Sequence, residues 1–239
     1  MKIAIIGSNF GPFETEQWRN KVESSLKLAD DVCFRDKASY QTFSNLPNIR
    51  WGNDIVMHLS HESRKEKERS ICVNIRSVEK WPSLKPYKEK YLNTVKSLII
   101  YYQEKGYSIK LISFCDEYGD NLITKELYEL LEEKNNVEVL YYRGNLEKVL
   151  NTISRSEIMI GTRFHAIILG MVFNLKVLPI SYSVKTENML KTYNVWNEVY
   201  DFRIFCNTKS EDLIRVLIKD FHIDENNNTM FNYVDKLLY

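Results

Sequence analysis

The sequence lacks an excess of charge of either sign. It holds 33 Lys and Arg residues against 32 Asp and Glu residues in a total of 239, which leaves a formal net charge of +1 at pH 7. A protein that binds nucleic acid or an anionic membrane through a polybasic region carries a clear positive excess. The composition therefore gives no sign of either function, and any cationic site must be local.

Cysteine is scarce and widely spaced. The four residues, Cys33, Cys72, Cys115 and Cys206, include no CxxC pair and lie in no Cys/His cluster. A structural zinc site needs such a cluster of ligands, so we expect no metal site. We interpret the four as reduced, mostly buried thiols of a cytosolic protein.

Long hydrophobic runs are also missing. A helix that spans a bilayer needs about 20 apolar residues, and no segment of the sequence approaches that length. The apolar run near the amino terminus covers only residues 3–6, which is too short for the hydrophobic region of a signal peptide. We therefore expect a cytoplasmic protein without a transmembrane segment.

Motifs of several common enzyme classes do not occur. The loop from Gly7 to Gly11 departs from the GxGxxG pattern, and the chain contains no Walker loop, no GxSxG and no HExxH. A nicotinamide-dependent enzyme, a P-loop kinase and a serine hydrolase thus each lack their fingerprint. We expect no bound cofactor.

The chain does contain a regular alternation of short apolar runs and helical patterns. From residue 70 onward, helical segments alternate with strand-like runs at 71–75, 108–114, 137–140, 157–160 and 177–180. Parallel neighbours need a crossover connection, so this order predicts a parallel sheet covered by helices. We assign residues 70–205 to a complete Rossmann-like domain.

The flanking regions are organised differently. Residues 1–65 hold about three strands, the third predicted around residues 55–57, which makes an incomplete Rossmann-like unit. The charged run at 61–69 is interpreted as a solvated linker. Residues 206–239 are predicted to form carboxyl-terminal helices, with a capping box at residues 208–211. The predicted fold class is α/β.

The most informative stretch, residues 156–170, joins an apolar strand to an apolar helix. The strand is followed by a tight turn at residues 161–162 and by a helix that begins near Phe164. In open α/β sheets, ligands bind beyond the carboxyl ends of the strands, so Arg163 and His165 are placed for chemistry. The alternative for His165 is a core histidine bonded to a backbone carbonyl, because its neighbours are apolar.

Charged residues also follow the other predicted strands. They are Arg76, Asp116, Glu117, Arg143 and Lys185. The carboxyl ends of parallel strands share one edge of a sheet, so these side chains could converge with Arg163 and His165. Several cations around one cleft suit a small, multiply charged anion, because arginine binds carboxylate or phosphate through two parallel hydrogen bonds. Taken singly, Arg143 and Lys185 fit surface charges better.

The candidate helix and the strand after it form a recognisable signature. The run IGTRFHAII at residues 160–168 is followed by VLPISYSVK at residues 177–185. Four shorter segments precede it, namely IIGSNFGPF at 5–13, FRDKAS at 34–39, ND at 53–54 and VNIR at 73–76. In this order, the segments resemble the polysaccharide pyruvyl transferase family, whose signature has an Arg-aliphatic-His-Ala run followed by a strand ending in Tyr and Lys.

The resemblance implies both a fold and a reaction. The fold would be GT-B-like, with two Rossmann-like domains and the site between them. The reaction would transfer the pyruvyl group of phosphoenolpyruvate to two hydroxyls of a sugar in a cell-surface polysaccharide or its precursor. A ketal would form and phosphate would be released. The donor carries a phosphate and a carboxylate, which agrees with the cationic cleft inferred from the residues.

The resemblance also implies roles for individual residues. Arg76 and Arg163 match positions expected to hold the donor, and His165 matches the catalytic histidine. Our hypothesis is that protonated His165 donates a proton to the methylene carbon of phosphoenolpyruvate, while Arg163 and Arg76 stabilise the departing phosphate and fix the carboxylate. The further candidates for substrate binding are Arg143, Lys185, Asp116 and Tyr182.

One departure from the family affects the expected partners. The family usually begins with a Gly-rich segment containing an Asp, ahead of the strand at residues 3–6, and this sequence lacks it. The resemblance assigns the acceptor side to residues 1–65 and the donor side to residues 70–205, and the missing segment would supply part of the acceptor side. The chain is accordingly a fragment, a separately encoded half or a shortened relative. The expected partners are a second copy in a homo-oligomer or a subunit that supplies the missing amino-terminal half. The expected acceptor is a sugar or a saccharide linked to a lipid, and a lipid-linked acceptor would hold the protein at the membrane periphery.

Two alternatives remain open from the sequence. The first is a GT-B glycosyltransferase that uses a nucleotide sugar as its donor. The second is a truncated, inactive relative that binds an anionic ligand or pairs with another subunit.

Overall fold

The computed structural model describes residues 1–11, 13–59, 66–219, 221–222 and 230–238. By its internal contacts, the chain divides into two compact units. The first comprises Met1–Ser60, Ser183–Val195 and His222–Tyr239, and the second comprises His61–Tyr182 and Trp196–Phe221. The domains predicted from the sequence follow the chain in order, whereas each compact unit is assembled from separate segments.

β-strands and α-helices alternate along the chain. The strands are β1 (Ala4–Ser8), β2 (Asp31–Phe34), β3 (Ile49–Trp51), β4 (Ser70–Asn74), β5 (Ser108–Ser113), β6 (Val137–Tyr141), β7 (Ile158–Gly161) and β8 (Lys176–Pro179). The α-helices are α1 (Glu16–Leu26), α2 (Lys37–Thr42), α3 (Lys88–Glu104), α4 (Asp120–Leu130), α5 (Leu146–Arg155), α6 (Phe164–Val172), α7 (Val184–Thr192), α8 (Phe202–Phe205), α9 (Ser210–Arg215) and α10 (Asn232–Leu238). None of the helices within the described ranges is both long and apolar enough to cross a membrane.

The second unit contains a five-stranded parallel sheet with the order β6-β5-β4-β7-β8, as the alternation of strands and helices predicts. Strands β4 and β7 are buried along their whole length. Their sequences read as continuous apolar runs because a parallel sheet is covered on both faces. The chain runs outward from β4 to β6 and then returns to the other side of β4, so the strand order reverses between β4 and β7. In open α/β sheets, ligands bind at such a reversal.

The first unit contains a three-stranded parallel sheet with the order β1-β2-β3, consistent with the predicted incomplete Rossmann-like unit. Its core surrounds the fully buried ring of Phe43. Arg50 on β3 forks onto the carboxylate of Asp31 on β2, with its Nε and Nη2 atoms at 2.6 and 2.8 Å from the two oxygens. The same side chain donates to the carbonyl oxygen of Met230 at 2.8 Å, which ties the carboxyl-terminal segment to this sheet.

Two local predictions from the sequence are wrong. Residues Ile55–His58 form a 3₁₀ turn rather than a strand, because the carboxylate of Asp54 accepts the backbone N–H of Val56 and starts the turn. The capping box at residues 208–211 does not form, because the Thr208 hydroxyl donates to the carbonyl of Ile204 in the preceding helix. Residues 61–65 of the predicted linker and residues 220, 223–229 and 239 of the predicted helical region lie outside the described residues.

The four cysteines are free, and three of them are buried. Burial raises the pKa of the Cys33 thiol to about 11. Burial likewise raises the pKa of Cys72 and Cys206 to about 12. The folded protein therefore keeps these thiols neutral at pH values well above 9.0, which is their ordinary pKa.

These thiols predict a loss of stability at alkaline pH. Each contribution is fully present below the pKa of the unfolded thiol and is lost as the pH rises towards the folded pKa, because only the unfolded chain releases the proton in that window. We expect the free energy of unfolding, measured with urea between pH 8 and 11, to fall above pH 9. A Cys72→Ala variant should show a slope shallower by up to about 1.4 kcal/mol per pH unit. The exposed control Ser97→Ala should keep the parent slope, and an unchanged slope in Cys72→Ala would contradict the assignment.

Candidate active site

The candidate site lies at the carboxyl edge of the five-stranded sheet, where four loops meet the strand ends. These loops follow β4, β5, β7 and β8. They carry most of the charged and aromatic candidate residues, at the edge where ligands bind in open α/β sheets.

Arg76, two residues after β4, is a buried cation with aromatic neighbours. Its side chain is only 2% exposed. The guanidinium carbon lies 3.9 Å from the ring centroid of Tyr182 and 4.8 Å from that of Trp81. Within the described part of the chain, Arg76 forms no ion pair with a carboxylate. Burial lowers the pKa of Arg76, as does the positive charge of Arg163, whereas Tyr182 and the carboxylate of Asp120 raise it. Arginine stays protonated at neutral pH.

Arg163, the residue that precedes α6, is held by a carboxylate. Its Nε and Nη2 atoms donate to the two oxygens of Asp120 at 2.8 and 2.6 Å. Asp120 is fully buried at the first position of α4, where the helix dipole favours a negative charge. Asp120 also accepts the backbone N–H of Ser77 at 3.4 Å. The pair uses one edge of the guanidinium and leaves its Nη1 atom unused by Asp120.

A buried polar network positions both arginines. Asn74, the last residue of β4, accepts the backbone N–H of Arg163 on its side-chain oxygen at 3.0 Å, and its carbonyl accepts that of Thr162 at 2.9 Å. The hydroxyls of Tyr91 and Thr162 lie 2.6 Å apart, and the Tyr91 oxygen is 3.4 Å from the backbone nitrogen of Arg76. These bonds fix the loops after β4 and β7 relative to each other, and an interior network of this kind holds its members rigidly when all are satisfied.

His165 occupies the first turn of α6 and is exposed. The alternative of a histidine buried in the core is therefore wrong. Its ring packs edge-on against that of Phe164, with centroids 5.4 Å apart. An accessible imidazole two residues from Arg163 can exchange protons with a ligand at this edge of the sheet.

Of the other predicted substrate-binding residues in the second unit, one contacts an arginine of the candidate site and two do not. Tyr182 lies against Arg76, as described above. Asp116 is exposed on the loop after β5, and Arg143 is exposed on the loop after the edge strand β6. Among the described residues, neither side chain is hydrogen-bonded or ion-paired to Arg76 or Arg163. The structure thus brings Tyr182, but not these two groups, into contact with Arg76.

Lys185 belongs to the first compact unit rather than to the rim of the five-stranded sheet. Burial lowers the pKa of Lys185, as does the positive charge of Arg35, whereas Asp54 and Asp36 raise it. Arg35 itself bonds to Asp54 through Nη1 at 3.0 Å. Helix α7 carries Lys185 into this polar cluster by packing on α2.

Sequence reasoning did not single out Asp120, and the acidic residue it named after β5 as a candidate for substrate binding was Asp116. Both residues follow the same strand. The distinguishing signal is Gly119, whose φ of +78° turns the chain so that α4 begins with Asp120 pointing inward. Asp116 and Glu117 stay on the outer part of the loop.

The Arg163–Asp120 pair can be tested by stability. We expect Asp120→Asn to lower the free energy of unfolding by about 1–3 kcal/mol, because the largely buried Arg163 loses its counter-charge. In a double-mutant cycle measured by urea unfolding, the double variant Asp120→Asn/Arg163→Gln should lose less free energy of unfolding than the sum of the losses in the two single variants. The control Asp212→Asn breaks an exposed pair with Arg215 and should change stability by less than about 0.5 kcal/mol. Additive losses at Asp120 and Arg163 would show that the pair is not coupled.

Two solved structures with a similar fold hold a nucleotide sugar or a nucleotide. The UDP-GlcNAc 2-epimerase of Neisseria meningitidis bound to UDP-GlcNAc aligns with a TM-score of 0.60 at 13% identity, over 99% of this chain and 69% of that chain. The MnaA–UDP structure from S. aureus aligns with a TM-score of 0.52 at 12% identity, over the same shares of each chain. At these identities the likeness concerns the fold alone, and it confirms the predicted α/β, GT-B-like class.

The family comparison covers most of the sequence. The profile of the family described as polysaccharide pyruvyl transferase matches residues 1–184. The matched region contains Arg76, Arg163, Asp120 and the exposed His165. Because the match spans well over half of the 239 residues, the chain belongs to the polysaccharide pyruvyl transferase family and is thereby a transferase enzyme.

Proposed function

We propose that this chain transfers the pyruvyl group of phosphoenolpyruvate to two hydroxyls of a saccharide that serves polysaccharide synthesis. The observation that carries the proposal is Arg76, a buried guanidinium without a carboxylate partner among the described residues. Buried charges in proteins are normally paired, so such a cation favours an anionic ligand. A donor with a phosphate and a carboxylate supplies two anionic groups.

Each of the two arginines would bind one anionic group of the donor. Arg76, which forms no ion pair with a carboxylate among the described residues, offers its charge to one anionic group of phosphoenolpyruvate. Arg163 keeps its Nη1 donor for the other, because Asp120 engages only Nε and Nη2. The backbone N–H groups in the first turn of α6 are further donors for an anion. Electrostatic holding of this kind is strong where water is excluded.

The exposed imidazole of His165 would supply the proton transfer. In the proposed step, His165 protonates the methylene carbon of phosphoenolpyruvate, which becomes a methyl group, and the adjacent carbon becomes electrophilic. The first sugar hydroxyl attacks that carbon, and its proton returns to His165. The second hydroxyl attacks the same carbon, the C–O bond to phosphate breaks, and the remaining proton leaves with phosphate. The ordinary pKa of histidine lies near neutrality, which suits a group that donates and accepts in one cycle.

The donor site is tested by binding of phosphoenolpyruvate to the full chain, measured by calorimetry. We expect Arg76→Gln to weaken binding by about 10- to 100-fold, because a charged hydrogen-bond partner is removed. Arg76→Lys, which keeps the charge without the planar fork, should lose less. Arg215→Gln, at an arginine whose side chain is 78% exposed, is the matched control and should bind as the parent does. UDP binding at this site with no phosphoenolpyruvate binding would favour the glycosyltransferase alternative.

The role of His165 is tested separately by phosphate release. The full chain is incubated with phosphoenolpyruvate and a panel of methyl glycopyranosides of glucose, galactose, mannose and N-acetylmannosamine. We expect His165→Gln to keep donor affinity within about threefold and to slow phosphate release by about 10²–10⁴. Near-parental turnover in His165→Gln would remove this residue from the mechanism. Donor binding without any phosphate release by the parent would favour the inactive, anion-binding relative.

A further inference from the structure

Two large aromatic side chains are exposed beside Arg76 and Arg163. Trp81, on the loop after β4, is 40% exposed, and Tyr118, on the loop after β5, is 49% exposed. Single exposed aromatic residues are ordinary on protein surfaces. These two differ because each contacts a guanidinium of the candidate site.

The contacts define how the aromatic rings are arranged. The guanidinium carbon of Arg76 lies 4.8 Å from the Trp81 ring centroid, and that of Arg163 lies 5.3 Å from the Tyr118 ring centroid. Lys80 links the two loops, because its Nζ atom is 5.8 Å from the Tyr118 ring and 3.2 Å from the carbonyl oxygen of Glu117. Trp81 also packs edge-on against Tyr182, with centroids 5.9 Å apart. Both rings are therefore held in place while much of their surface faces solvent.

A pyranose ring has the chemistry that such a surface recognises. One face of the sugar presents C–H groups, and its rim presents hydroxyls. An aromatic ring offers a large apolar face at low entropic cost, and polar groups nearby can accept or donate to the rim. A sugar stacked here would bring its hydroxyls within a few ångströms of an anion held by Arg76 and Arg163.

We infer that Trp81 and Tyr118 form a stacking platform for the pyranose ring of the acceptor. The inference rests on the proposed function, because it places the acceptor beside the proposed donor site. It assigns substrate specificity to the loops after β4 and β5. Lys80, which lies against Tyr118, is a further hydrogen-bond donor for the sugar rim.

The test uses saturation-transfer-difference NMR on the full chain with the methyl glycopyranoside panel, in the presence of inorganic phosphate. We expect Tyr118→Leu and Trp81→Leu to weaken sugar binding by about three- to tenfold, which is the loss expected for an aromatic stacking contact. Tyr118→Phe keeps the ring and should bind sugar as the parent does. Trp18→Leu, at a 52% exposed tryptophan on α1, is the matched control and should have no effect.

Parallel calorimetry with phosphoenolpyruvate separates the platform from the donor site. Tyr118→Leu should keep its affinity for phosphoenolpyruvate within about threefold, because the change removes no charge from the site. Sugar binding that depends on Trp81 and Tyr118 in a protein that does not bind phosphoenolpyruvate would support the platform and overturn the proposed function. Unchanged sugar signals in both leucine variants would overturn the platform, as would the absence of signal from every sugar of the panel. The same NMR experiment is repeated with UDP in place of the sugars. A signal from the uracil protons that is lost in Tyr118→Leu, with no signal from any sugar of the panel, would also overturn the platform in favour of a nucleobase site.

Discussion

A positive charge buried in a protein needs a counter-charge, and this requirement organises the candidate active site. Arg163 receives its counter-charge from Asp120, through two short bonds to one carboxylate. Arg76 is more deeply buried than Arg163 but lies between aromatic rings and forms no ion pair with a carboxylate among the described residues. Aromatic faces attract a cation without neutralising it, so the site keeps a net positive charge. That imbalance is the physical basis for expecting an anionic ligand.

The sheet makes this arrangement possible. Strands β4 and β7 are neighbours although about 85 residues separate them, and the loops that follow them carry the two arginines. Asn74 bonds to both residues of the turn after β7, and Tyr91 connects that turn to the backbone of Arg76. The apolar strands beneath supply the stability that lets such polar groups be buried, since each is satisfied by a partner in the interior.

Periodic features of the sequence predicted the fold well. The strands of the second unit were located within one or two residues, because a buried parallel strand is a short apolar run bounded by turn residues. The failures were local. Asp54 captures a backbone N–H and converts a predicted strand into a 3₁₀ turn, and the Thr208 hydroxyl bonds backwards to Ile204 instead of capping the next helix. In both places the local structure depends on which backbone group a short polar side chain bonds to. Apolar periodicity carries no information about that hydrogen bond.

For the candidate site too, some features follow from the sequence and others only from the tertiary structure. The sequence by itself determined that Arg76, Arg163 and His165 follow the ends of strands, and it carried the family signature around them. Only the tertiary structure decided that Asp120 pairs with Arg163, that Lys185 joins a different compact unit from Tyr182, and that His165 is exposed. The reason is that a strand end fixes where a loop begins, whereas burial and pairing depend on the direction of each side chain and on neighbours that are distant along the chain.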